Sequence, residues 1–205
     1  MANSGIIVYI HGKGGNATEA EHYRALFPDH EVIGFDYDSQ TPWEAMEEFA
    51  LFFDALIARA DHVCLIANSI GAYFSMCALG KKNIEKAFLI SPIVDMEGLI
   101  LGMMQAENVS EDALREKKVL PTSFGEDLSW DYLSWVRSHP VRWSVPTEIL
   151  YGEKDVLQSM DMIRAFAKQS GAGVCVMKEG EHWFHTKEQM NFLDAWLQRV
   201  ASSVK

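Results

Sequence analysis

Short apolar runs alternate along the chain with longer stretches in which apolar residues recur every three or four positions. The short runs have the length and residue types of strands buried on both faces, and the longer stretches have the period of amphipathic helices. Six segments have the strand pattern: residues 6–10, 31–35, 62–67, 86–91, 147–152 and 173–178. The alternation predicts an α/β protein with a mostly parallel central sheet and helices on both faces.

Two of the predicted helices begin with capping signals. Thr41 and Glu44 form a capping box with Pro42 at the first helical position, and Thr186 with Gln189 repeats the box before the last helix. The apolar face of the first of these helices consists of Met46, Phe49, Ala50, Phe53, Leu56, Ile57 and Ala60. That of the last consists of Phe192, Leu193, Trp196, Leu197 and Val200. Each helix is expected to bury one face.

Residues 95–144 interrupt the alternation, because they contain no convincing strand. Apolar residues at 96, 99, 100, 103 and 104 share one helical face, Ser110 is a candidate cap, and residues 128–136 suggest a third helix. The sequence therefore predicts one domain over residues 1–205, with residues 95–144 as a helical, lid-like insertion. Trp130, Trp135 and Trp143 are interpreted mainly as packing residues, with walls of a substrate pocket as the alternative.

Composition narrows the classes of partner. The chain has 205 residues, 48% of them hydrophobic, and a formal net charge of -11, which argues against binding to nucleic acid or to anionic membrane surfaces. No apolar run is long enough to span a bilayer, and the start MANSG lacks the basic residues of a signal peptide. Cys64 and Cys175 lie in strand patterns among three cysteines, which predicts reduced thiols and a cytoplasmic location.

The stretch IIVYIHGKGGNAT, residues 6–18, runs from a strand through a glycine-rich turn towards a helix. Gly12, Gly14 and Ala17 match the dinucleotide-binding pattern, and Asp36 near the end of the next strand matches its ribose-binding acid. An NAD(P)-binding oxidoreductase that uses the Gly12-Lys13-Gly14 turn is therefore one interpretation. The turn is equally suited to bind an oxyanion, since both roles use backbone N–H groups.

The third predicted strand ends in ANSIG, residues 67–71, which places Ser69 between a strand and a helix. A serine at such a sharp turn takes a strained backbone conformation, and the residues two before and two after it must be small. Ala67 and Gly71 meet this requirement. The turn is expected to aim the N–H of Ile70, at the start of the helix, towards the serine oxygen. The positive end of the helix would favour negative charge that develops there during a reaction.

These residues resemble the nucleophile elbow of the α/β-hydrolase superfamily, in the minimal form of small serine esterases, with alanine in the first small position. The resemblance covers about residues 6–200. It implies that the backbone N–H groups of Lys13 and Ile70 form the oxyanion hole, so the glycine turn would bind an oxyanion rather than phosphates.

The resemblance also supplies the remaining catalytic residues, which occur in the family's chain order of Ser, Asp and His. Asp155 follows the strand TEILYG and His182 follows the next strand, just before the last helix. His185 is the rival for the base and is expected instead to help start the last helix. His182 and His185 also have the spacing of a metal pair, but no further cluster of ligands supports such a site, and no metal or organic cofactor is expected.

The implied function is hydrolysis of a small ester or thioester through an acyl-enzyme, with a small-molecule acyl substrate as the partner. A non-hydrolytic lyase with the same three residues and a non-catalytic binding protein of the same fold remain alternatives beside the NAD(P) interpretation. The sequence does not indicate the oligomeric state or the physiological substrate.

Overall fold

A computed structural model describes residues 5–202 of the chain, so the start used above to argue against a signal peptide lies largely outside the described residues. The main sheet has six parallel strands: β1 (Ile6–Ile10), β2 (Glu31–Phe35), β3 (Val63–Asn68), β4 (Lys86–Ile90), β7 (Thr147–Gly152) and β8 (Gly173–Met177). All six predicted strands are confirmed to within one residue at each end. They run in the order β2-β1-β3-β4-β7-β8.

Between these strands lie a short 3-10 helix (Ala17–Glu19), α1 (Ala20–Arg24), α2 (Pro42–Ile57), α3 (Ser69–Leu79) and α7 (Met160–Ser170). The last helix, α8 (Lys187–Val200), follows β8. One face of the sheet packs on α1 and α8, in a core that includes Tyr9, Ile66, Phe88 and Trp196. On the other face, the ring of Phe35 in β2 stacks on Phe52 of α2. The predicted arrangement of helices on both faces is therefore present.

The helix faces follow the predicted periodicity, with one exception in α2. Both capping boxes form, at Thr41 and at Thr186. Phe49, Phe53 and Leu56 are buried as predicted, whereas Met46 is 43% exposed. The buried residues Ala45, Phe49 and Leu56 lie along one side of α2, and Met46 is rotated about 100° from Ala45, at the edge of that side.

Residues Asp95–Val141 form a separate compact unit. It contains α4 (Met96–Ala106), α5 (Glu111–Lys117), β5 (Val119–Pro121), β6 (Asp127–Ser129) and α6 (Trp130–Ser138). The prediction that this segment contains no strand is wrong, because β5 and β6 pair as an antiparallel hairpin. Each strand has three residues, too few to leave a period-two pattern in the sequence.

The strand order places a topological switch point between β1 and β3. The chain passes from β1 to the edge strand β2 and then crosses to the other side of β1, where β3 lies. Ligands of open α/β sheets bind at the carboxyl ends of the strands at such a point. The last paired residues here are Ile10 and Ala67, so the glycine turn and Ser69 emerge side by side. No helix within residues 5–202 has the length and apolar character needed to cross a membrane.

Candidate active site

Ser69 is the first residue of α3 and follows β3 directly. Its φ angle of 51° lies in the left-handed region, which is strained for a serine and persists only where the surroundings enforce it. Gly71 shows one source of this constraint, because a Cβ atom built on it would lie 2.2 Å from the carbonyl oxygen of His11. The small residue expected at position 71 is therefore required by the close approach of α3 to the end of β1.

His182 lies between β8 and α8, and its ring bridges two of the predicted site residues. Its Nε2 atom lies 2.8 Å from the hydroxyl oxygen of Ser69, and its Nδ1 atom lies 2.7 Å from Oδ2 of Asp155. The side chain of His182 is 20% exposed and that of Asp155 is fully buried. The structure thus brings Ser69, His182 and Asp155 into one hydrogen-bonded row, although 113 residues separate the first two along the chain.

The hydrogen-bond partners of the His182 ring determine which of its two nitrogens carries the proton. A carboxylate can only accept hydrogen bonds, so Nδ1 of His182 donates to Asp155 and Nε2 is left to accept from the Ser69 hydroxyl. The second carboxylate oxygen, Oδ1, accepts from the backbone N–H groups of Leu157, at 2.8 Å, and Gln158, at 3.3 Å. Asp155 therefore cannot rotate without breaking bonds at both oxygens.

Backbone contacts hold the loop of Asp155 against the loop of His182. The N–H of Lys154 donates to the carbonyl of Gly180 at 2.7 Å. Gly152, at the end of β7, has no room for a side chain, because an added Cβ would lie 2.4 Å from the carbonyl oxygen of Glu181. The ends of two neighbouring strands are thus fixed together where the acid and the imidazole meet.

The glycine turn of residues 12–15 lies against Ser69. The N–H of Gly15 donates to the carbonyl of Gly12 at 3.1 Å, and Gly14 has a φ angle of 74°, which closes a tight β-turn. A Cβ atom on Gly12 would lie 3.2 Å from Cβ of Ser69. Lys13 is inside this turn. Ile70 is the second residue of α3, where backbone N–H groups have no acceptor within the helix.

Comparison with solved structures shows which fold this is. A provisionally assigned hydrolase from Agrobacterium vitis S4 superposes with a TM-score of 0.76 at 13% identity, over 96% of this chain and 87% of the other. Est1E from Butyrivibrio proteoclasticus superposes with a TM-score of 0.73 at 16% identity, over 97% and 87%. The chain has the α/β-hydrolase fold.

Sequence comparison alone is less informative. No family model matches the sequence. One curated protein, provisionally named esterase/lipase 3 of Mycoplasma genitalium, is 33% identical over 79 residues. That match covers 37% of this chain and 28% of the curated protein, so the chain spans about a quarter of the length of the relative that it matches.

Asp36, which the dinucleotide interpretation assigned to a ribose, has a structural role in this α/β-hydrolase fold. Its carboxylate accepts from the N–H of Ala17 at 3.3 Å and lies 3.7 Å from Nε2 of His11. A dinucleotide-binding sheet also continues beyond its second strand, whereas β2 is the edge strand here. Both observations disfavour that interpretation.

His11 holds the start of the glycine turn. Its ring stacks on that of Tyr37 with centroids 4.3 Å apart, and its Nδ1 lies 2.8 Å from the carbonyl oxygen of Gly12. The hydroxyl of Tyr37 donates to the carbonyl of His11 at 2.9 Å. His11 is 7% exposed. These contacts fix the chain immediately before the turn.

His185 lies outside the row formed by Ser69, His182 and Asp155. Its ring stacks on Trp183, and its Nδ1 donates to the carbonyl of Trp183 at 2.8 Å. Its backbone N–H donates to the Gln189 side chain at 3.0 Å, next to the start of α8. Within residues 5–202, no three His, Cys, Asp or Glu side chains are grouped in a way that could hold a metal ion.

The three tryptophans with pocket walls as an alternative role differ in their surroundings. Trp143 is buried and its Nε1 donates to the Thr147 hydroxyl at 2.7 Å, as in a packing residue. Trp135 stacks on His139, and Trp130 lies under the guanidinium of Arg115. The role of these last two in a pocket stays a prediction.

Three large apolar residues next in sequence to Asp155 and His182 are exposed, which the sequence patterns did not predict. Val156 and Leu157, directly after the acid, are 89% and 40% exposed, and Trp183, directly after the histidine, is 67% exposed. Their positions next to Asp155 and His182 were the signal that could have identified them. We call these three residues the apolar rim.

Proposed function

We propose that the protein is a serine hydrolase that cleaves a small ester or thioester through an acyl-enzyme. The observation that carries this proposal is the row of two hydrogen bonds from Ser69 through His182 to Asp155. A serine hydroxyl is a weak nucleophile unless a base removes its proton, and the row provides such a base and a group that orients it.

In the first half of the reaction, the Ser69 oxygen attacks the carbonyl carbon of the substrate while Nε2 of His182 takes the hydroxyl proton. Asp155 keeps the Nδ1 proton in place and stabilises the imidazolium that forms. The carbonyl oxygen becomes negatively charged and accepts hydrogen bonds from the N–H groups of Lys13 and Ile70. The bond to the leaving group then breaks, and His182 donates its proton to the departing oxygen or sulfur.

In the second half, a water molecule attacks the acyl group on Ser69, and His182 takes a proton from that water. The same two N–H groups receive the second oxyanion. Collapse of this intermediate releases the acid, and His182 returns the proton to Ser69. Each of these steps uses groups of the chain and water.

The apolar rim favours a substrate with an uncharged, apolar acyl or alkoxy group. The three residues lie next to Asp155 or His182 in sequence, and exposed apolar side chains of this size are suited to contact an apolar part of a substrate. The ring of Trp183 is also held by its stacking on His185, at 4.4 Å between centroids, which lowers the entropy lost when a ligand packs on it.

A fluorophosphonate probe tests the nucleophile. The wild type should be labelled, and Ser69→Ala should not be. Ser75→Ala is the matched control, because Ser75 lies on the same helix, is fully buried, and donates its hydroxyl to the carbonyl of Gly71 at 2.7 Å. Equal labelling of the wild type and Ser69→Ala would refute the assignment.

A panel of activated short-chain esters, thioesters and amides then tests the reaction. Turnover of esters or thioesters that disappears in Ser69→Ala supports the proposal. Labelling without turnover of any of these substrates would contradict hydrolysis and favour the lyase alternative, which uses the same residues. Absence of labelling in the folded wild type would favour a binding protein.

A further inference from the structure

A chain of buried hydrogen bonds runs beneath the glycine turn and takes no part in the proposed proton transfers. Its centre is Tyr9 of β1, which is 1% exposed. The hydroxyl of Tyr9 donates to Oε2 of Glu19, at the end of the 3-10 helix that follows the turn. Burial is the main cause that raises the pKa of Tyr9 far above its usual value, so the phenol keeps its proton and donates a hydrogen bond to the carboxylate.

The other partner of the phenol is the residue before the candidate nucleophile. Asn68 lies on β3 two residues after Ile66, the register partner of Tyr9, so the side chains of Tyr9 and Asn68 lie on the same face of neighbouring strands. A side-chain hydrogen bond with Asn68 also lowers the pKa of Tyr9 against the effect of burial. The phenol has one proton, which it donates to Glu19, so its oxygen can only accept from Asn68 and the Asn68 amide is the donor. The hydroxyl of Tyr9 thus connects Glu19 to the residue that precedes Ser69.

Glu19 holds the far end of the turn. Its Oε1 atom accepts from the N–H of Asn16 at 3.4 Å, and the Asn16 side chain accepts from the N–H of Thr18 at 2.9 Å, which completes a capping box. A Cβ atom on Gly15 would lie 2.7 Å from the same Oε1 atom. The carboxylate therefore packs directly on the last residue of the turn.

Asn68 contacts the near end of the turn. A Cβ atom on Gly12 would lie 3.8 Å from the side-chain amide carbon of Asn68 and 3.5 Å from the backbone carbonyl oxygen of Asn68. The turn is therefore contacted at both ends, by Asn68 at residue 12 and by Glu19 at residues 15 and 16. Tyr9 connects Asn68 and Glu19 through its hydroxyl.

We propose that Tyr9 is a positioning residue that fixes the distance between the 12–15 turn and Ser69, acting through Glu19 and Asn68. This inference rests on the proposed function, in which the N–H of Lys13 receives the oxyanion. Such a donor is effective only when it is held where the charge develops, and a displacement of about 1 Å can cost on the order of 100-fold in rate. Loss of the Tyr9 hydroxyl would free the turn without removing a donor.

The test is Tyr9→Phe, which removes the hydroxyl and keeps the ring. We expect kcat for a short-chain ester to fall about tenfold with KM within about twofold, less than the ~10²–10³ typical for complete loss of a donor. A trifluoromethyl ketone, whose adduct with Ser69 carries an oxyanion, should bind more weakly by the same factor as kcat/KM. Tyr23→Phe is the matched control, because Tyr23 is a second buried tyrosine with its ring 5.0 Å from that of Tyr9.

Hydrogen exchange gives a measurement independent of turnover. Amides of residues 13–16 should exchange faster in Tyr9→Phe than in Tyr23→Phe, and Glu19→Gln should protect them better than Glu19→Ala, because an amide oxygen can still accept from Asn16. Unchanged exchange in the turn would overturn the inference. So would faster exchange with unchanged kcat and unchanged ketone affinity.

Failure of the proposed function is recognised separately, by comparing the wild type with Ser69→Ala. A wild-type protein without turnover that depends on Ser69 would overturn the hydrolase assignment and, with it, the role of Tyr9. A wild type that turns over esters, combined with a Tyr9→Phe variant equal to Tyr23→Phe in every measurement, would overturn only the role of Tyr9.

Discussion

Substitution of Gly71 by alanine tests whether the close approach of α3 to β1 builds the site. The added Cβ would lie 2.2 Å from the carbonyl oxygen of His11 and 3.0 Å from Cγ2 of Ile10. Real Cβ atoms essentially never come within 3.0 Å of another heavy atom, and the obstructing oxygen belongs to the backbone of His11, directly after the interior strand β1. The start of α3 must therefore move away from β1 by about 0.8 Å or more.

That movement separates Ser69 from the glycine turn, because Ser69 lies two residues before Gly71 and Lys13 lies two residues after His11. A displacement near 1 Å at the reacting centre costs on the order of 100-fold in rate. Overpacking of a close-packed interior costs about 1–3 kcal/mol of stability. For a chain of this size the loss corresponds to a Tm lowered by roughly 2–12 °C.

The assay measures kcat/KM on a short-chain ester, the rate of fluorophosphonate labelling and Tm. Gly102→Ala is the control, because Gly102 lies inside α4, is exposed, and has no heavy atom within 4 Å of an added Cβ. Alanine there should raise stability by about 0.5–1 kcal/mol, since it favours the helix, and leave labelling unchanged. If Gly71→Ala retained wild-type Tm and wild-type labelling, the steric reasoning would be refuted.

Three further outcomes follow from single residues. Asp155→Asn should lower kcat on the same ester on the order of 10⁴-fold, while the amide oxygen can still accept from the N–H groups of Leu157 and Gln158. A loss below tenfold would contradict the role of Asp155. Ser91→Gly should raise Tm by roughly 2–4 °C, because Ser91 has a φ angle of 43° and its buried hydroxyl lacks a partner among the described residues; a lower Tm would contradict this. Burial raises the pKa of Cys64 and of Cys77 to about 12. At pH 8 only about 10⁻⁴ of each thiol is therefore ionised, so mass spectrometry should find both unmodified after treatment with iodoacetamide. Rapid alkylation of either thiol would be inconsistent with the structure.

The main sheet was predictable because its central strands are buried on both faces and therefore nearly continuous in apolar residues. Every residue of β1 is buried, for example. At the edge the same reasoning is less accurate, since Val174 and Val176 of β8 are partly exposed. The hairpin of β5 and β6 was missed because its strands are shorter than the window over which periodicity can be recognised.

The residues of the candidate site were predictable for a different reason. Ser69, Asp155 and His182 each follow a predicted strand, and the carboxyl ends of parallel strands meet at one edge of the sheet. The roles of Tyr9 and Glu19 were not predictable. A tyrosine in a strand and a glutamate near a helix start are ordinary in sequence, and only the fold brings both of them to Asn68 and the turn.

We infer that Ser69 carries the covalent acyl intermediate, and trapping that intermediate with a substrate is the decisive measurement. The protein is mixed with an activated short-chain ester, quenched in acid within the first turnover, digested, and analysed by mass spectrometry. We expect one acyl group per chain, on the peptide that contains Ser69, absent from Ser69→Ala and present in Ser75→Ala. An acyl group on another residue, or ester turnover that persists in Ser69→Ala, would contradict this inference.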